Sequence, residues 1–404
     1  MSQKEFLIHQ WRIPMLFFLI TASYGWILRG YKVVDFLPFE YKDILQAHSH
    51  VTFLGWGFLG VTILIRRAFR MERLDKKPLF RWVFYGMIVM LCGLLISFPL
   101  EGYKLFSIVF LSLFLLFSYF YLYEMVKQLR SNGSLASRFI RTAIYLYYLS
   151  SVAIWLFPVV LLRYGKGVMY YDAIYFYLHF LYNGFFVFAL FGILLRSSDP
   201  EGELAVSNAW KGFYWLTFTS CIPAYTLSMI WTDTLVFVHW IAMASAMVQM
   251  ISLLFLWMVG RDTLSQTTSK ASRCLLWIIL TAYSLKIVFQ YASTFPSIMD
   301  IAMGQKIYFV IGYLHLYTLG FMSFFLLYLS RRVLGFLLSR LGIVLLLAGV
   351  LLSEIMLFVQ GGLYTWHLPV IPYFDNLLLA VSTLMPMGIG VILLGLKAFN
   401  LENQ

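Results

Sequence analysis

Twelve apolar stretches, each about as long as a bilayer is thick, set what this chain can fold into. They fall near 13–30, 44–65, 80–100, 105–126, 139–162, 170–195, 210–231, 233–258, 272–293, 304–330, 335–359 and 373–396. A helix needs roughly 20 mostly apolar residues to cross hydrocarbon. No open sheet can replace it, because lipid offers nothing to bond an exposed backbone group. Of the 404 residues 61% are hydrophobic and 12% charged, and the longest polar connections, 196–211, 260–273 and 360–376, are too short to hold a soluble core. The expected fold is therefore an all-α integral membrane protein of twelve transmembrane helices, one polytopic domain over 1–404 with the lipid bilayer as its first partner.

A net charge of +12 would suit a nucleic-acid binder if it formed one patch. Instead the basic residues fill alternate loops: Arg66, Arg67, Arg70, Arg73, Lys76 and Lys77, then Lys127, Arg130, Arg138 and Arg141, then Arg331, Arg332 and Arg340. That is the positive-inside pattern. It sets aside nucleic acid, places both termini in the cytoplasm and fits a multi-pass protein of a bacterial plasma membrane. The first apolar stretch follows Lys4 and Arg12 without a small-residue cleavage site, so it reads as a retained helix. Cys92, Cys221 and Cys274 lack CxxC spacing, which leaves them as small buried hydrophobes.

Three of the expected helices carry a histidine five residues ahead of a glycine: His50 and Gly55, His179 and Gly184, His315 and Gly320. Each interval is about a third of the chain, so the sequence divides into three pseudo-symmetric four-helix groups near 1–130, 131–260 and 261–404. Five residues on, a helix has turned about 140° and risen about 7.5 Å. A glycine there thins the wall and admits either a flat macrocycle or another helix.

With the amino terminus inside, His48, His50, His179, His239 and His315 share one layer roughly 5–15 Å below the outer boundary. Lys286, Gln290 and Glu354 reach the same depth from helices running the other way. Ionisable groups in a membrane are costly and usually face an interior partner or a wet cavity. Several assignments stay open: metal ligand or interhelical hydrogen bond for the histidines, and for Lys286 and Glu354 mutual partnership, proton or substrate access, or snorkelling outward. His9 and His367 lie outside the expected helices and read as surface residues. The aromatic fraction of 19% suits a cofactor pocket, but also interface and core.

At the second helix, AHSHVTFLGWG, the sequence resembles subunit I of the haem–copper oxidase superfamily, and within it the C-family cytochrome c oxidases and nitric oxide reductases. His48, Gly55 and Gly57 stand where that family has a histidine followed by glycines seven and nine residues later. In YLHLYTLG, His315 and Gly320 match the family's low-spin haem position on the tenth helix. The resemblance implies twelve helices in three groups, and a low-spin haem b with His48 and His315 as axial ligands and His50 as a rival. Tyr313 stands where the high-spin haem ligand is expected. The seventh helix, with Cys221 and Pro223, lacks the adjacent histidines that bind copper in the family. A second metal would have to draw on His50, His179 and His239 with Lys286 nearby.

The leading expectation is a haem-binding, oxidoreductase-like protein that moves electrons in respiratory or nitric oxide chemistry, supplied by a cytochrome or a quinol. The alternative is a twelve-helix transporter or metal-handling carrier that uses the same His, Lys and Glu layer. A third is a relative without cofactor that serves in assembly or sensing.

Overall fold

A computed structural model of the chain describes residues 3–34, 38–130, 132–198, 207–232 and 235–398. Parts of three expected features lie outside the described residues: the loop 196–211, the start of the span 233–258 and the C-terminal tail. Among the described residues the fold is helical apart from one two-residue antiparallel pair, Phe336–Leu337 with Lys397–Ala398. Eleven helices among the described residues are long and apolar enough to cross a membrane, as an all-α membrane protein requires. The expected span 210–231 is not continuous. It is a helix over Asn208–Cys221 followed by a 3-10 turn over Pro223–Ser228, because Pro223 has no N–H to give and its ring clashes with the preceding turn.

Local chemistry sets the other ends. Ser134, Ser207 and Ser269 each cap a helix by accepting the N–H of the residue three positions on, Ser137, Trp210 and Ser272, which satisfies one of the open donors of a first turn. Gly102 and Gly165, both at φ +63°, end the helices Pro78–Glu101 and Leu135–Tyr164, in a region that favours glycine.

The three helices that carry the histidine–glycine pairs share a construction seen in no other described span. Each runs α, then π, then α: Tyr41–His50, Val51–Phe58 and Leu59–Ala68; Val168–His179, Phe180–Phe186 and Val187–Ser198; Lys306–His315, Leu316–Ser323 and Phe324–Leu334. In all three the histidine is the last α-helical residue and the glycine lies inside the π segment. These are also the most buried spans, at 78%, 89% and 61%, against at most 50% elsewhere. The remaining spans present apolar side chains outward, such as Trp82, Leu100, Leu162 and Leu254, the surface a lipid-facing helix needs.

The chain divides into two compact units, Met1–Arg130 with Leu329–Leu363 and Leu368–Gln404, and Ser131–Tyr328 with Tyr364–His367. In the first, Trp56 of the π segment stacks on Phe18 at 4.5 Å and meets Trp11 edge-on at 5.8 Å. In the second, Phe191, Tyr283, Phe321 and Phe325 form an aromatic lattice with centroids 4.9–5.9 Å apart.

Each repeated glycine seats a side chain of a neighbouring helix. A Cβ on Gly55 would lie 2.8 Å from the Phe17 ring, one on Gly184 2.7 Å from Leu146 Cβ, and one on Gly320 3.3 Å from Ala282 Cβ. In every case the intruding side chain comes from the span that opens the same third of the sequence. Gly55→Ala and Gly184→Ala should each cost about 1–3 kcal/mol through overpacking, read as a lower unfolding temperature in detergent. Gly320→Ala, with more room, should cost less.

Candidate functional site

Two histidines of the span Tyr41–Ala68 are held in different ways. The His48 Nδ1 lies 2.8 Å from the Thr21 carbonyl oxygen, and since a carbonyl can only accept, Nδ1 carries the proton. The Thr21 hydroxyl donates in return to the His48 carbonyl at 2.9 Å, as does the Thr52 hydroxyl at 2.7 Å. One turn from Thr21, Gly25 makes room for the ring, for a Cβ there would sit 3.1 Å from His48 Cε1. The tautomer that results keeps the lone pair on Nε2, the arrangement typical of metal-ligating imidazoles whose other nitrogen donates to a backbone carbonyl.

His50 has the same tautomer but different company. Its Nδ1 donates to the Gln46 carbonyl at 2.8 Å, and its Nε2 accepts from the Tyr103 hydroxyl at 2.8 Å. The ring also leans on Phe98 at 4.7 Å. Both ring nitrogens are engaged, so this conformation offers no lone pair to a metal.

In the second unit the layer closes into a buried network. His179 Nε2 donates to the Cys221 carbonyl at 2.8 Å, while its Nδ1 accepts from the Asn183 amide at 3.2 Å. The Lys286 ammonium donates to Asn183 Oδ1 and lies over the Tyr283 ring, 5.4 Å from its centroid. Lys286 is 2% exposed, so it does not snorkel. The Cys221 carbonyl is available because the helix breaks there: Tyr225 N–H bonds to the Ile222 carbonyl instead. The Cys221 thiol in turn approaches the Asn183 carbonyl at 3.7 Å. All donors point one way, from ammonium through amide and imidazole to carbonyl, a polarised chain in a low-dielectric interior.

Around this network stand further polar groups. Tyr317 donates to the Tyr182 carbonyl at 2.7 Å, and the two rings stack at 5.0 Å. Tyr313 lies close enough to Tyr182, Tyr283 and Tyr317 to act on them electrostatically. Gln290 is buried with an Oε1 that has no partner among the described residues, and so is Gln249 on the neighbouring helix. The bond from Trp257 Nε1 to Ser284 Oγ at 3.1 Å sets the antiparallel register that brings these two amides to about the same level.

Glu354 is buried in the first unit, where Arg29 is the charge that acts on it. His239 is half-buried in the first turn of Val236–Gln266. His315 is also half-buried, at the junction of α and π segments. Among the described residues no three His, Cys, Asp or Glu side chains form a metal-binding group.

Four residues of these contacts are missing from the sequence reading. Thr21, Gly25 and Tyr103 carry no local signal, because each acts across a helix–helix contact. Asn183 could have been found: it lies four residues after His179, on the same helix face, inside an otherwise apolar run. Compared with known proteins, the chain matches no family model and no curated sequence.

Removing one member of the network strands the others. Asn183→Leu leaves a buried ammonium and an imidazole acceptor without their partner, and should cost about 3 kcal/mol. Lys286→Met on top of it should recover most of that loss, since a paired buried group replaced by apolar ones is close to neutral. Unfolding of the two single variants and the double variant in detergent measures the coupling.

Proposed function

We propose that this chain is a haem-binding membrane protein, a divergent relative of haem–copper oxidase subunit I, that passes single electrons. His48 carries the reading: the Thr21 carbonyl fixes its proton on Nδ1, which puts the ring's lone pair on Nε2, and Gly25 clears space beside the ring. The donor chemistry thus fits an iron porphyrin. His48 and His315 are the proposed axial ligands, as the resemblance implies. A bound haem b would supply one-electron redox chemistry. The chain's own residues orient the imidazole, through Thr21 and Thr52, and exclude water with apolar walls such as Val51 and Phe53.

With Asn208–Cys221 and Pro223–Ser228 taken as one broken span beside the eleven continuous ones, the proposed architecture is twelve spans in three groups of four. The recurring α–π–α helix and its glycine seats support that grouping. The basic loops support a bacterial plasma membrane with both termini inside. An electron donor, a cytochrome or a quinol, completes the proposal. The engaged nitrogens of His50 and His179 speak against copper. A carrier reading draws on one observation, the buried Lys286, Asn183 and His179 chain, which has the composition of an intramembrane proton or cation site.

The test is an absorption spectrum, oxidised and reduced, of protein purified from haem-replete cells, with iron and copper analysis. A Soret band and a low-spin b-type difference spectrum are expected, with iron and without stoichiometric copper. His48→Ala and His315→Ala should each abolish the low-spin signal. Absence of a Soret band sinks the haem reading and leaves the carrier, and spectra unchanged in both variants reject this ligand pair.

A further inference from the structure

Away from the histidine layer, the first unit holds a charged corner that the electron-transfer reading does not use. The chain leaves the span Tyr41–Ala68, passes the short helix Glu72–Asp75 and enters the helix Pro78–Glu101. A cavity of about 290 Å³ opens there, lined among others by Gln10, Arg66, Asp75, Arg81, Phe84 and Tyr85.

Its floor is Arg66, 5% exposed. The guanidinium lies 5.4–5.8 Å from the ring centroids of Phe80, Phe84 and Tyr121. One terminal nitrogen donates to Asp75 and the other to Gln10 Oε1 at 3.3 Å, while Nε has no partner among the described residues. Burial pushes the Asp75 carboxyl above the usual carboxylate range, although Arg66 pulls the other way. At the rim, Arg81 is exposed and makes no ion pair among the described residues. The cavity therefore presents two guanidinium groups, one with a buried N–H left over, against one carboxylate. Such an excess suits an anion.

The helix that supplies Arg81 and Tyr85 also says what kind. Leu79, Trp82, Val89 and Ile96 are all exposed along it, an apolar surface running away from the charged corner. A soluble anion would use the corner alone, whereas an anionic lipid would use both surfaces. We propose that this corner binds the phosphodiester headgroup of an anionic phospholipid, with Arg81 and Arg66 as donors to its oxygens and the acyl chains against the apolar side of Pro78–Glu101.

The experiment compares thermal unfolding of the full chain in detergent with added phosphatidylglycerol, phosphatidylcholine or soluble glycerol phosphate. Phosphatidylglycerol should stabilise more than phosphatidylcholine, and Arg81→Gln, at an exposed position that folding does not need, should weaken its apparent affinity about five- to tenfold. Arg273→Gln, an exposed basic residue of the other unit, should leave the preference intact. Equal stabilisation by the two lipids, or a preference that survives Arg81→Gln, overturns the proposal. Stabilisation by glycerol phosphate as large as that by the lipid, and lost in Arg81→Gln, upholds the anion site but overturns the assignment to lipid.

Discussion

A backbone carbonyl that loses its helical partner inside lipid has no water to turn to, and the polar interior of this protein is organised around that constraint. At several departures from α geometry a side chain bonds to the main chain. His179 takes the Cys221 carbonyl below the Pro223 break, Thr21 and Thr52 both donate to the His48 carbonyl, and Thr318 donates to that of Leu314. The imidazoles of His48 and His50 bond to main-chain oxygens as well. Three of the five intramembrane histidines, His48, His50 and His179, are thus fastened to main-chain oxygens.

Fastening sets the tautomer of each histidine. In His48 the Thr21 carbonyl holds the proton on Nδ1 and so puts the lone pair on Nε2. His50 and His179 are bonded through both ring nitrogens, and those bonds tie neighbouring segments together. Two histidines two residues apart on one helix, His48 and His50, thus meet different groups, and a ring nitrogen is defined by the group that faces it.

Much of the architecture was legible in the sequence because burial in lipid demands long apolar runs, and such runs cannot hide. The histidine and glycine spacing likewise marked the most buried helices. What stayed illegible depended on partners distant in sequence. Tyr103 follows a turn at Gly102 and reaches His50 only once two helices pack. Arg66 looked like one more basic residue of a cytoplasmic loop, yet it is enclosed by three aromatic rings, because an adjacent Asp75 gives it a reason to turn inward. Lys286 and Glu354 sat at one depth and invited pairing, but depth fixes only one coordinate of three.

The π segments carry a geometric consequence of their own. Each inserted residue turns everything beyond it by about 100° about the helix axis. The half of the span that bears the imidazole and the half that follows the glycine therefore face different directions, although they share one rod. A periodicity read straight through such a helix loses phase at the histidine. The same slip lets one continuous span serve two sets of neighbours, its first half aimed at the polar layer and its second at the aromatic core.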